Sequence, residues 1–135
     1  METTNPAAQR VDDAFMQKYF QAFRSKDLPA LETMLTDDVV LESAFGPDLN
    51  GKRFVGKAGF IEATLRYFDT LPGVRSFDRT YTLLGDKGFT EFTVSYEEAD
   101  GKTVTVRVCD LFDFRDGKIA SKRAYSKRLS QGGAA

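Results

Sequence analysis

The chain has no histidine and one cysteine among its 135 residues, and these absences exclude a large share of familiar chemistry. Without imidazole there is no Ser-His-Asp or Cys-His arrangement, no two-histidine metal motif and no general base that ordinarily titrates near neutrality. Proton transfer is left to Asp, Glu, Tyr, Lys or water. One cysteine makes no internal disulfide and no CxxC pair for zinc or redox exchange. An excess of one charge sign is also missing: Lys and Arg number 19 against 20 Asp and Glu, so no global field draws in nucleic acid, an anionic membrane or an acidic partner. No apolar run approaches the roughly 18 residues of a membrane span. The opening METTNPAAQR has neither the charge order nor the apolar core of a signal peptide, so a cytoplasmic location is the default expectation. Neither a cluster of metal ligands nor a glycine-rich phosphate loop is present, and no metal or organic cofactor is expected.

What is present reads as one soluble domain. The apolar fraction is 41% with 12 Phe, in a chain long enough to bury a core without staples. After a leader over 1–10, expected to be disordered, VDDAFMQKYFQAFRS places Val11, Phe15, Met16, Tyr19, Phe20 and Phe23 at helical spacing. KDLPALETML restarts a helix with Asp27 as N-cap and Pro29 in its first turn, and TDD is expected to end it. VVLESAF reads as a short strand with Val39, Leu41, Ser43 and Phe45 on one face. GPDLNGKRFVGKAG reads as a loop. A third helix is expected in FIEATLRYFDTL, burying Phe60, Ile61, Leu65 and Phe68.

Four strand-like runs follow, and Asp-Gly turns at 100–102 and 116–118 separate the last three, which predicts consecutive antiparallel hairpins. Helices first and long strands afterwards define an α+β domain over 11–130, with helices against one side of a curved sheet that encloses a pocket. The tail at 131–135 is expected to be disordered.

The most informative run is KTVTVRVCDLFDF, residues 102–114. Alternation puts Val104, Val106, Val108, Asp110, Phe112 and Phe114 on one face and Arg107, Cys109 and Leu111 on the other. If the first face looks inward, Asp110 is a carboxylate in an apolar setting and must be paired, hydrogen-bonded or protonated. The plain alternatives are a structural carboxylate satisfied by Tyr19 or Lys122, or a strand end that is simply wet. Phe92, Val94 and Tyr96 share a face of FTVSYE and would form pocket wall, as would Phe112. Cys109 reads as an interface or surface thiol. The basic residues Lys118, Lys122, Arg123, Lys127 and Arg128 spread over both faces of the last strand, neither of them plainly apolar.

QKYFQAFRSKDLPALETMLTDDVVLES, FTVSYEE, VCDLFDF and DGKIASKRA together resemble, in order, the nuclear transport factor 2-like cone and within it the ketosteroid isomerase and SnoaL-like polyketide cyclase group. The resemblance runs from about Phe15 to Leu129. It implies a cone-shaped barrel, with the N-terminal helices packed on a curved antiparallel sheet. It also implies a site in which a helix Tyr and a protonated sheet Asp donate to an oxyanion while a second Asp moves the proton. The Tyr falls on Tyr19, the oxyanion Asp on Asp110 and the base position on Ser43, which is no substitute for a carboxylate. Glu42 is its neighbour but alternates to the opposite face unless a bulge re-aims it. Lys122 is implied to face the pocket, where an ammonium would favour the charged form of Asp110.

Two readings follow. One is a pocket enzyme, isomerase- or cyclase-like, in which Asp110 and Tyr19 act on a small hydrophobic carbonyl compound bound by Ser43, Phe92, Val94, Tyr96, Phe112 and Lys122. The other is a non-catalytic ligand-binding or dimerisation domain of the same fold. Epoxide hydrolysis, known in this fold, needs an Asp-Arg-Asp arrangement that cannot be placed here. A homodimer through the outer sheet face, helped by Leu111 and Cys109, is expected.

Overall fold

A computed structural model of the chain describes residues 11–128; the expected disordered leader and tail lie outside the described residues, as do 129–130. Helix α1, Asp13–Ser25, begins where the Asp12 carboxylate accepts the Phe15 N–H at 2.8 Å and ends at Lys26, whose φ of 56° unwinds it. Its stripe buries Met16, Tyr19 and Phe20 completely or nearly so. Each such aromatic side chain contributes roughly 2–3 kcal/mol by leaving water. Helix α2, Leu28–Thr33, is capped by Asp27 as expected, with Ala30 N–H donating at 3.2 Å and Pro29 in the first turn. Helix α3 spans Gly56–Thr70, so it starts at Gly56 and not at Phe60. Its buried face runs through Phe60 and Thr64, while Leu65, expected to be buried, is exposed.

The strands are β1 (Leu35–Glu42), β2 (Arg53–Val55), β3 (Arg75–Leu84), β4 (Lys87–Glu97), β5 (Thr103–Arg115) and β6 (Lys118–Lys127). Thr36, Asp37 and Asp38, expected to end the second helix, belong to β1, and β2 lies inside the stretch expected to be loop. The last three strands are consecutive antiparallel neighbours. At their second turn Asp116 and Gly117 both have positive φ, 55° and 73°, the geometry that suits a tight hairpin.

The sheet order is β2-β1-β6-β5-β4-β3. Two features of the expected barrel are corrected by it. The curved sheet stays open, because edge strands β2 and β3 do not pair with each other. It is also mixed, since β1 runs parallel to β6. A ladder between elements so distant in sequence leaves no local hairpin signal, so alternation alone could not assign its direction.

Two bulges set which residues face inward. In β3 the register slips between Phe77, opposite Thr93, and Thr80, opposite Glu91. Asp78 and Arg79 therefore face the single partner Phe92, with Asp78 at φ 56°. Between β5 and β6 the register slips after Asp113, so that Ile119 and Lys122 are both buried although three positions apart. That slip explains why neither face of the last strand reads as apolar.

The inner face divides in two. Towards the helices, Phe112, Phe114, Ile119, Tyr19, Phe20 and Phe60 belong to one continuous packed core. Farther along the same strands, Phe92, Val94, Tyr96 and Val106 form a second cluster.

Candidate functional site

A cavity of about 420 Å³ lies over the second cluster, walled by β3–β6, α1 and α3, and it reaches the surface at Phe45, Gly46, Lys52 and Arg128. This volume falls in the range of small-molecule sites. Asp110 is the one carboxylate among the described residues that line it. The register explains its place: Asp110 stands opposite Thr90 on β4 and Ala124 on β6, while Lys122 stands opposite Phe112. Lys122 is thus the diagonal same-face neighbour of Asp110, within reach of a long side chain.

Asp110 is 3% exposed and accepts no hydrogen bond among the described residues, although its carboxyl lines the cavity. The nearest cation is Lys122, whose Nζ lies 3.7 Å from Oδ2. Burial pushes the Asp110 carboxyl above its ordinary value of 3.8, with Lys122 and Arg79 pulling the other way. Lys122 is buried too. Its ammonium donates to the Tyr19 hydroxyl at 3.0 Å and sits over the rings of Phe23, Tyr19 and Phe60 at 4.8, 5.4 and 5.9 Å. Burial works against its charge, but Tyr19 and Asp110 together hold its pKa above the ordinary lysine value.

The side chains named from the sequence separate into two groups. Asp110, Lys122, Ser43, Phe92, Val94 and Tyr96 line the cavity. Tyr19 and Phe112 lie behind its wall in the packed core, with Tyr19 wholly buried and 5.9 Å ring to ring from Phe112. Burial raises the Tyr19 pKa, so the hydroxyl stays protonated and bonded to Lys122. Ser43 is committed to its own loop: its hydroxyl donates to the Phe45 carbonyl and accepts the Lys52 N–H at 3.2 Å. Glu42 is half-buried, 3.9 Å from Arg53, and outside the cavity lining. Cys109 is half-buried on the other face of β5, and burial raises its pKa.

Among the cavity residues not read as site residues from the sequence, two bear on its chemistry, Arg79 and Tyr67. Arg79 reaches inward from the β3 bulge with its guanidinium 3.5 Å from the Phe20 ring centre and 3.8 Å from that of Phe92, and it donates to Thr90 Oγ1 at 2.9 Å. Strict alternation puts Arg79 in phase with the outward Phe77, and the bulge breaks that phase. The one available signal was an Asp in mid-strand, a residue that tolerates left-handed backbone. Tyr67 lines the cavity from α3, one helical step beyond Phe60 and Thr64, and burial raises its pKa. The helix phenol presented to the cavity is therefore on the third helix and not the first, beside the Tyr96 phenol of β4.

Chemically, the wall offers one carboxyl poised away from its usual range, the phenols of Tyr67 and Tyr96, the buried ammonium of Lys122 and the half-buried guanidinium of Arg79 in an apolar enclosure. Among the described residues no group of three or more Cys, Asp and Glu side chains is gathered that could hold a metal ion. None of the described helices is long and apolar enough to cross a membrane.

Helices over the concave side of an open curved sheet are the architecture of the nuclear transport factor 2-like class. The chain belongs to the SnoaL-like domain family, whose model matches residues 16–122. Among solved structures it is 26% identical to a candidate polyketide cyclase from Xanthomonas campestris pv. campestris, with 82% of this chain and 85% of that one covered at a TM-score of 0.67. A second candidate polyketide cyclase, from Pseudomonas putida KT2440, is also 26% identical, with 82% and 86% covered at a TM-score of 0.66. A protein of Catenulispora acidiphila with a ketosteroid isomerase-like fold, bound to trimethylamine, is 18% identical over 89% of this chain and 92% of that one at a TM-score of 0.70, a likeness of fold alone. No curated protein sequence matches the chain.

Proposed function

We propose that the protein is a pocket enzyme that performs acid/base chemistry, isomerase- or cyclase-like, on a small hydrophobic carbonyl compound, with Asp110 as the one proton carrier. A single observation carries this reading: Asp110 is a buried cavity carboxyl with no hydrogen bond among the described residues, while its neighbours are cations. In its ionised form Asp110 removes a proton from the carbon next to the carbonyl. The C–H electron pair becomes the C=C bond of an enolate, and the carbonyl π pair moves to oxygen. Lys122, which lines the cavity 3.7 Å from Asp110, supplies positive charge for that oxygen from a site that does not need to reorganise. The enolate carbon then attacks a second carbonyl within the substrate, which closes a ring and leaves an alkoxide that takes the proton from Asp110; where a C=C bond is conjugated with the enolate, the dienolate instead takes that proton back at its far carbon. Either way Asp110 ends as it began.

Tyr19 serves in this scheme as a positioning residue, holding Lys122 beside Asp110 without touching substrate. Phe92, Val94, Tyr96 and Tyr67 supply the apolar wall, and Ser43 borders it.

The test is hydrogen–deuterium exchange at the α-carbons of polycyclic ketones and 1,3-dicarbonyl compounds, followed by NMR in D₂O. It detects proton removal whatever the final product is. Exchange by the wild type that falls by about 10²–10⁴ in Asp110→Asn is the expected result. Equal exchange by both proteins would end the assignment.

The second reading, a binding domain without chemistry, draws on Ser43, which stands where the isomerases carry a base and is occupied within its loop. Compounds that bind in the cavity without α-exchange would favour it. We also infer a homodimer through the outer sheet face, where half-buried Cys109 stands opposite exposed Tyr125 and half-buried Leu111 follows on the same face. Light scattering that gives a monomer mass at working concentration would refute the dimer.

A further inference from the structure

The cavity is more positive than its chemistry requires. Five of the described side chains that line it are cationic, Lys52, Arg66, Arg79, Lys122 and Arg128, against Asp110 alone. The whole chain carries a formal charge of −1, so this excess is local and not a reflection of composition. Arg66 is matched by Glu62 on its own helix at 3.3 Å, and Lys122 is matched by Asp110. Lys52 and Arg128 stand over the rings of Phe54 and Phe45 near the mouth. Arg79 has no carboxylate partner among the described residues: its hydrogen bond goes to Thr90, and its guanidinium carbon rests against the rings of Phe20 and Phe92, which are tilted 56° to each other.

A guanidinium held against two aromatic rings keeps its charge and loses part of its hydration, while the N–H groups not given to Thr90 remain able to donate. Desolvating such a group is unfavourable unless something accepts those hydrogens. The bulge that aims Arg79 inward also holds Asp78, a non-glycine residue, at φ 56°, a conformation that local preferences do not favour. The two rings and Thr90 hold the guanidinium in place, and a held fork matches a planar, two-oxygen anion better than a single carbonyl oxygen.

From this arrangement we infer that the natural ligand is an organic anion: an apolar body that fills the cavity and carries one carboxylate, gripped by Arg79, which makes Arg79 the specificity-determining residue. The inference rests on the cavity being the substrate site, as proposed above. It assigns the class of acid and adds a residue that the sequence did not mark.

The test compares two probes of equal shape, 2-naphthoate and the uncharged 2-acetonaphthone, by calorimetric titration at pH 7.5 and low salt. The wild type is expected to bind the acid about tenfold more tightly than the ketone. Arg79→Gln should remove that preference and leave the ketone's affinity nearly unchanged, with Arg79→Lys in between because it keeps charge but not the fork. Asp110→Asn should keep the preference, since it removes the one anionic group from the wall. The wild-type comparison needs no variant to fold. Equal binding of acid and ketone by the wild type would overturn the inference, as would equal loss of both in Arg79→Gln, and absence of binding by either probe would overturn it too. If the ketone binds and the acid has no advantage, the proton-carrier role of Asp110 stands unaffected and is judged by α-exchange alone.

Discussion

Two carboxylates on the same strand, Asp110 and Asp113, have been given opposite surroundings. Asp113 points to the outer face of β5, where Lys87 donates to Oδ1 at 2.6 Å while Ser121 and Arg123 donate to Oδ2 at 2.6 and 2.8 Å. These partners hold its carboxyl well below the usual carboxylate range. Asp110 points to the inner face, accepts no hydrogen bond among the described residues, and is pushed up by burial. The side chains are chemically identical, so the difference lies in what each is near. A saturated, partly wet carboxylate is a structural tie, whereas an unsaturated, dry one is ready to exchange a proton.

Breaking the two in turn should give different kinds of loss. The largest effect is expected from Asp110→Asn, which lowers α-proton exchange by about 10²–10⁴ while the fold persists. Asp113→Asn should leave that rate unchanged. Next is Lys122→Met, which strands Asp110 and the Tyr19 hydroxyl; breaking a buried pair from one side costs roughly 3 kcal/mol, readable in urea unfolding. Tyr19→Phe removes one hydrogen bond to a buried cation, at about 1.5–3 kcal/mol. Its further signature is a shifted pH profile of exchange, which a purely structural tyrosine would not produce. Asp113→Asn should cost the least stability, about 1 kcal/mol, because its side chain is 29% exposed and its ion pairs are partly screened.

The pH dependence of stability sharpens the contrast. The native pKa of Asp113 lies below its unfolded value, so its contribution is present above about pH 4 and is lost as pH falls through the native value. Asp110 behaves in the reverse way. Its native pKa is raised, so its contribution is complete below the ordinary value of 3.8 and is lost as pH rises through the native one. Melting temperatures of the two Asn variants, subtracted from wild type across pH 3–8, should therefore trend in opposite directions.

Much of this contrast was legible in one dimension, because the alternation along residues 102–114 assigns Asp110 and Asp113 to opposite faces and needs only local geometry. The first helix and both Asp-Gly turns were legible for the same reason. What escaped was whatever departs from strict period or depends on distant pairing. Arg79 was hidden by the bulge at Asp78, and the facing of Lys122 by the slip next to Ala120. Tyr67 was missed because the buried stripe of α3 passes through Thr64, which hydropathy does not mark, and not through Leu65. The parallel β1–β6 ladder joins segments far apart in sequence. Tyr19 was read as part of the site from its place on the first helix, yet whether a hydroxyl meets a cavity or a neighbouring ammonium is decided by packing in three dimensions.

The most direct test is the titration of both carboxyls in one sample by carbon-13 carboxyl NMR, with Asp110→Asn and Asp113→Asn for assignment. Asp110 should titrate clearly above 3.8 and Asp113 clearly below it. An Asp110 that titrates at or below 3.8 would mean that its cationic neighbours outweigh burial, and the poised proton carrier would have to be abandoned.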